Sequence, residues 1–265
     1  MKIHSKRFVK ACAPLIAVGL LTLLSGCDKA HISIDGEDGK PLSELDMSGA
    51  APHGLVLLGP DTVNITTGDK LAITVEGDKA LAENLRFTLK DGTLGVLRKD
   101  GMWSSKDSVT VHVTMPAPDQ LTMSGSGKIT ASALAKKAEV TIAGSGDVET
   151  NAIAADKLEV TIAGSGSYRA NGQVAHLDMN IAGSGNANME GLKAEKAEIS
   201  IAGSGSSRFA SDGEVKANIM GSGEVRVSGR ASCTVSALGS GKLICEPGNG
   251  PVRQEDADKD DEKEG

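Results

Sequence analysis

Aromatic residues are nearly missing from this 265-residue chain: one Trp, one Tyr and three Phe make up 2% of it. Sites that stack nucleobases rely on aromatic rings, and sugar-cleaving clefts commonly use them as platforms. Positive charge is short too. Lys and Arg number 28 against 35 Asp and Glu, a formal net charge of −7, whereas nucleic-acid binding requires basic surface. Nucleic acid is therefore excluded as a partner. The longest uncharged, mainly apolar run, Ala11 to Leu24, has 14 residues, and a membrane-spanning helix needs about 20. The five His are scattered, and no Ser-His-Asp set can be assembled. The acids do not form the closely paired carboxylates that glycoside hydrolysis requires. These shortages point away from an enzyme and imply no cofactor and no metal site.

What the chain does have begins with an export signal. Lys2, Lys6, Arg7 and Lys10 precede the apolar run, which ends in Leu24-Ser25-Gly26-Cys27. A basic start, a short apolar core and small residues before the cut describe a secretory leader. Its ending resembles the lipobox of bacterial lipoproteins. That resemblance implies cleavage after residue 26 and acylation of Cys27, an anchor to a membrane by several chains. Asp28 then resembles an inner-membrane retention signal. The implied location is the cell envelope, facing the periplasm or the cell surface. Without the leader's four basic residues the formal charge falls to −11.

Glycine is abundant, with 33 residues, and much of it is periodic. Gly-Ser-Gly begins at Gly125, Gly144, Gly164, Gly183, Gly203, Gly221 and Gly239, at spacings of 19, 20, 19, 20, 18 and 18. Periods near 20 mark solenoids. Counting from the first Gly of each triplet, positions −4 and −2 are always apolar, as in Val160/Ile162 and Ile199/Ile201. Positions −5 and −3 are polar in the six later units, as in Glu159/Thr161 and Glu198/Ser200. Strict alternation is the signature of a strand with one buried face. Beyond the triplet, +4 and +6 are mostly apolar again, from Ile129/Ala131 to Leu243/Cys245.

Each unit thus reads as strand, Gly-Ser-Gly corner, strand and a looser corner, with no helical stretch. One unit buries about five side chains worth roughly 1.5–3 kcal/mol each. Ordering its backbone costs about 1–2 kcal/mol per residue, so only stacked units can fold. The expected fold is all-β: a right-handed parallel β-helix of seven repeats of about 18–20 residues. Gly125, Gly127, Gly144, Gly146, Gly164, Gly166, Gly183, Gly185, Gly203, Gly205, Gly221, Gly223, Gly239 and Gly241 are read as structural corners. A phosphate cradle would need a helix after the glycines. A calcium nonapeptide repeat would need an Asp after each triplet, and only Asp147 stands there. The central serines, Ser126 through Ser240, are expected to stack as a ladder.

On the outside, position −5 stacks Glu139, Glu159, Asp178 and Glu198, and −7 stacks Lys137, Lys157, His176 and Lys196. Adjacent columns of opposite sign relieve the repulsion within each column, and a cation ladder is the sharper alternative. Cys233 and Cys245 lie at −6 and +6 about Gly239, both with inward parity. Two buried thiols would also fit, but in an oxidising envelope a disulfide is expected. It would pin the final coil.

Upstream of the triplets, strands are expected at 62–66, 70–76, 85–90, 93–98 and 108–115, separated by Gly-Asp and Asp-Gly turns. Pro116 and Pro118 divide this half from the regular coils, and Trp103 lies in a polar loop read as packing or capping. Residues 27–51 are read as lipidated N-terminus and linker, 52–246 as the β-helix and 247–265 as a solvated acidic tail.

The succession Asp91-Gly92-Thr93-Leu94, then Val109-Thr-Val-His-Val-Thr-Met-Pro116, then Leu121-Thr-Met-Ser-Gly-Ser-Gly127 and its repeats resembles the auto-transporter adhesin head GIN domain family, over roughly residues 52–246. The resemblance implies a β-helical bacterial envelope domain with an adhesive or surface-binding role and no catalytic residues. The functional expectation is a non-catalytic binding or structural module of the envelope. Its partner would be an envelope protein or a glycan, and its open coil ends allow self-association. Two alternatives are calcium-dependent assembly through the acidic ladder and a carbohydrate-active β-helix enzyme.

Overall fold

The computed structural model describes residue 34 and residues 38–99, 108–246 and 253–254. The leader, Cys27, Asp28, Trp103 and the tail apart from residues 253–254 lie outside the described residues. The strands are β1 (Gly54–Gly59), β2 (Thr62–Thr67), β3 (Ala72–Glu76), β4 (Leu85–Lys90), β5 (Thr93–Arg98), β6 (Thr110–Met115), β7 (Gln120–Gly125), β8 (Lys128–Ala133) and β9 (Lys137–Gly144). There follow β10 (Asp147–Gly164), β11 (Ser167–Gly183), β12 (Asn186–Gly203), β13 (Ser206–Gly221), β14 (Glu224–Ser228), β15 (Ser232–Gly239), β16 (Lys242–Cys245) and the two-residue β17 (Arg253–Gln254).

They wind into a right-handed parallel β-helix of about seven turns. The strands that lead into the triplets form an entry wall: β5, β1, β7, β9, the second halves of β10 to β13, and β15. The strands that leave them form an exit wall: β6, β2, β8, the first halves of β10 to β13, β14 and β16. Within each wall every pairing is parallel. The alternation places Val160, Ile162, Val148 and their equivalents in one continuous core between the walls. Length distinguishes these strands from ordinary ones: β10 to β13 run 16 to 18 residues because each continues round the looser corner, where the register shifts.

The Gly-Ser-Gly corner is dictated by contact with the coil before it. Gly164 has φ +120, and a Cβ there would lie 2.5 Å from the Gly144 carbonyl oxygen. A Cβ on Gly166 would meet Ile142 Cγ2 at 2.5 Å and the Gly146 oxygen at 2.7 Å. Between them the Ser165 amide donates to the Gly144 carbonyl at 2.9 Å, and each later serine amide repeats this bond to the triplet before it. The serine side chains stand exposed in a column along the edge.

The five upstream strands expected from sequence are present, and a sixth, β1, lies where 54–59 begins the β-helix without a triplet. Coil order is not chain order there. β1 pairs with both β5 and β7, and β2 with both β6 and β8. The first coil is therefore second in space, enclosed by one made later. Its corner is Gly59-Pro60-Asp61, with Gly59 in register with Gly125. Outside β5 and β6, β4 and β3 pair antiparallel and close that end. Leu42 and Leu45 pack on the same end and Lys40 bridges Phe87. Residues 40–45, within the segment read as linker, thus lie against the cap.

Candidate interaction surface

The outer face of the entry wall carries the charge columns foreseen in the sequence. The register stacks Glu139, Glu159, Asp178 and Glu198 in one line and Lys137, Lys157, His176 and Lys196 in the next. Lys157 Nζ reaches Glu159 at 2.5 Å and Asp178 at 3.1 Å. Those two carboxylates raise the Lys157 pKa. One coil further on the signs exchange: Glu214 follows Lys196, Lys216 follows Glu198, and the two pair at 3.2 Å. The columns thus largely neutralise themselves. Among the described residues no group of three or more His, Cys, Asp or Glu is placed to hold a metal ion.

Next to these columns the entry wall is less polar. Position −3 presents Thr161, Asn180, Ser200, Asn218 and Ser236. Position −1 presents Ala163, Ala182 and Ala202 and then, in the last coils, Met220 and Leu238. Met220 is 59% and Leu238 75% exposed. A shallow apolar groove runs between these two columns.

The looser corner is held by charge in its later turns. Asp212 accepts from Lys193 Nζ at 2.7 Å and from the Arg230 amide at 3.0 Å, tying three successive coils. Those bonds hold its pKa down at about 2, with the Lys193 contact the larger cause.

The exit wall differs. Its central outward column reads Glu149, Arg169, Asn188, Arg208, Arg226. At the rim the charges are engaged: Glu149 with Lys128 at 3.2 Å, and Arg226 with Glu224 at 3.1 Å and Glu246 at 2.6 Å. Asp147 accepts from Ser167 and Asn186 from Ser206. Arg169 and Arg208 are exposed, and among the described residues neither has an ionic or hydrogen-bonded partner.

Inside, three polar groups sit where the second face is least regular. Buried Tyr168 shares a 2.8 Å hydrogen bond with Thr150, and burial raises its pKa. Ser207 Oγ is buried with no partner among the described residues. At the N-terminal end Asp61 and Arg98 form a buried pair. Arg98 Nε and Nη2 donate to the two carboxylate oxygens at 2.8 and 2.6 Å, and the Val109 amide adds a bond at 2.9 Å. Cys233 and Cys245 are joined as a disulfide across the last coil, Cα atoms 6.8 Å apart.

The Asp61–Arg98 pair escaped sequence reading because its members are 37 residues apart and belong to coils whose spatial order differs from chain order. Arg169, Arg208 and Arg226 are legible at +5 of their triplets, a position the alternation marks as outward.

A family model described as "Putative auto-transporter adhesin, head GIN domain" matches residues 51–231, and the chain belongs to that family. Among curated proteins none matches. Solved structures share the fold. A "putative adhesin" from Bacteroides fragilis NCTC 9343 superposes with TM-score 0.67 at 18% identity, over 74% of this chain and 92% of that one. A "putative lipid binding protein" from Parabacteroides distasonis ATCC 8503 gives 0.58 at 23%, over 75% and 94%. A "putative adhesin" from Parabacteroides merdae ATCC 43184 gives 0.56 at 21%, over 74% and 92%.

Proposed function

We propose that this member of the adhesin head GIN domain family is a lipid-anchored, non-catalytic module of the bacterial envelope that binds a partner through the outer faces of its coils. The family description carries an adhesive role and so an envelope or surface location. The lipobox-like ending at Cys27 supplies the anchor, with Asp28 favouring the inner membrane. No helix among the described residues is long and apolar enough to cross a membrane.

One observation carries the reading. The β-helix holds its outward side chains in straight, registered rows over many coils, while its interior is filled by apolar side chains. Rows on a rigid frame present a long preorganised surface, which lowers the ordering cost of binding. A catalytic cleft instead needs groups that converge. Glu159 and Asp178, neighbours in one column, share a lysine on an open face.

The test is capture from native membranes with the full-length chain, run beside a polysaccharide-degradation assay. The expected result is a co-purifying envelope protein or glycan and no release of reducing ends. Reducing ends released by wild type but not by a Glu159→Ala/Asp178→Ala variant would overturn the non-catalytic reading.

A further inference from the structure

The exit wall carries two exposed arginines, Arg169 and Arg208, with no ionic or hydrogen-bonded partner among the described residues. Around Arg169, Asn188 and Arg208 stand Ser167 and Asn171, Asn186 and Glu190, and Ser206 and Ala210, as the outward neighbours within each strand. Glu190 is the one acid in this block. The nearby acids Asp147, Glu149 and Glu224 already have partners. Two guanidinium groups are therefore left facing solvent on a chain of net charge −7. They lie in one column with a single coil between them, about 9.5 Å apart at the usual strand spacing.

We propose that this block binds a linear carboxylated polysaccharide laid along the β-helix axis. The proposal rests on the binding reading above and names its ligand class. A guanidinium takes a carboxylate in a two-pronged bond. An extended pyranose chain advances by roughly one coil per sugar and turns like substituents to the same side at every second sugar. One acid on alternate sugars thus meets Arg169 and then Arg208. Asn188, between them, offers an amide that both donates and accepts to the hydroxyls of the intervening sugar. Arg169, Asn188 and Arg208 follow one registered column across three coils, which suits a polymer strand. An anionic bilayer would instead face the whole acidic body of the protein, with repulsion opposing the two arginines.

The test uses the full-length chain in detergent micelles and three probes: polygalacturonate, neutral dextran and vesicles containing phosphatidylglycerol. Wild type is expected to bind polygalacturonate, more weakly as salt rises, and to ignore dextran. Arg169→Gln/Arg208→Gln should weaken that binding at least tenfold with an unchanged melting temperature. Arg226→Gln, whose side chain is already engaged, should weaken it less than threefold. The proposal fails if wild type does not bind polygalacturonate, if the double variant binds it as well as wild type, or if only the vesicles bind. Should membrane capture persist while the arginine variant behaves as wild type, the binding module survives and this site falls.

Discussion

The two ends of the β-helix solve the same corner with different chemistry. In the regular coils the corner is Gly-Ser-Gly, and each triplet after the first sits on an identical triplet, glycine against glycine backbone. In the first coil Gly59-Pro60-Asp61 occupies that place, and on the outer side β1 pairs with β5 and β2 with β6. The sequence between β5 and β6 holds no Gly-Ser-Gly. The Asp61 carboxylate binds Arg98 and the Val109 amide instead. A repeat can satisfy its backbone with copies of itself, whereas the coil next to a cap must meet a unique neighbour and uses a side chain.

The contrast can be broken from either side. Removing one member of the buried pair, as in Arg98→Met, leaves Asp61 uncompensated and should cost about 3–5 kcal/mol, read as a lower urea midpoint. The double change Asp61→Leu/Arg98→Met should recover part of that loss. At the opposite end Cys233→Ser/Cys245→Ser should cost about 2–4 kcal/mol, with faster amide exchange confined to β15 and β16. In the middle Gly166→Ala forces a methyl against Ile142 and the Gly146 carbonyl, an overpacking cost of about 1–3 kcal/mol. Ser165→Ala, at the exposed centre of the same triplet, should stay within about 0.5 kcal/mol.

Two interior polar positions sharpen the comparison further. Thr150→Val strands the Tyr168 hydroxyl and should destabilise by about 1–3 kcal/mol. Ser207→Ala removes a buried hydroxyl that has no partner among the described residues and should be neutral or raise the melting temperature. The smallest effect concerns Asp212. Its carboxyl titrates near 2 rather than 3.8, so its contribution is present above the ordinary value and lost as pH falls towards 2. Carbon-detected NMR titration should show Lys193→Met moving the midpoint back up.

The regular coils were legible because their rule is local. Alternation about Val160 and Ile162 fixes the inward face, and the triplet fixes the turn. The inward parity of Cys233 and Cys245 likewise foretold which side chains meet. The cap was less legible. Strands β2 to β6 could be found from their composition, but the enclosure of β1–β2 by β5–β6 and β7–β8 depends on contacts far apart in sequence. In β1, Leu55 and Leu57 are fully buried and Val56 and Leu58 half-buried, so its apolar run lacks the alternation that marks β9 to β13. The free arginines of the exit wall were visible as letters. Their significance depends on which neighbouring acids already have partners, and only the folded register decides that.

The same comparison bears on function. The N-terminal end is closed by antiparallel strands and serves as a cap, whereas the regular coils present registered rows that a partner can grip. The most direct measurement places a bulky thiol-linked label on each region in turn, at Asn188→Cys in the exit wall and at Thr74→Cys on exposed β3. Capture of envelope partners from native membranes is then compared. The expected result is that the label at position 188 abolishes capture while the label at position 74 leaves it unchanged. Capture lost only with the cap label, or with neither, would contradict a binding surface on the exit wall of the regular coils.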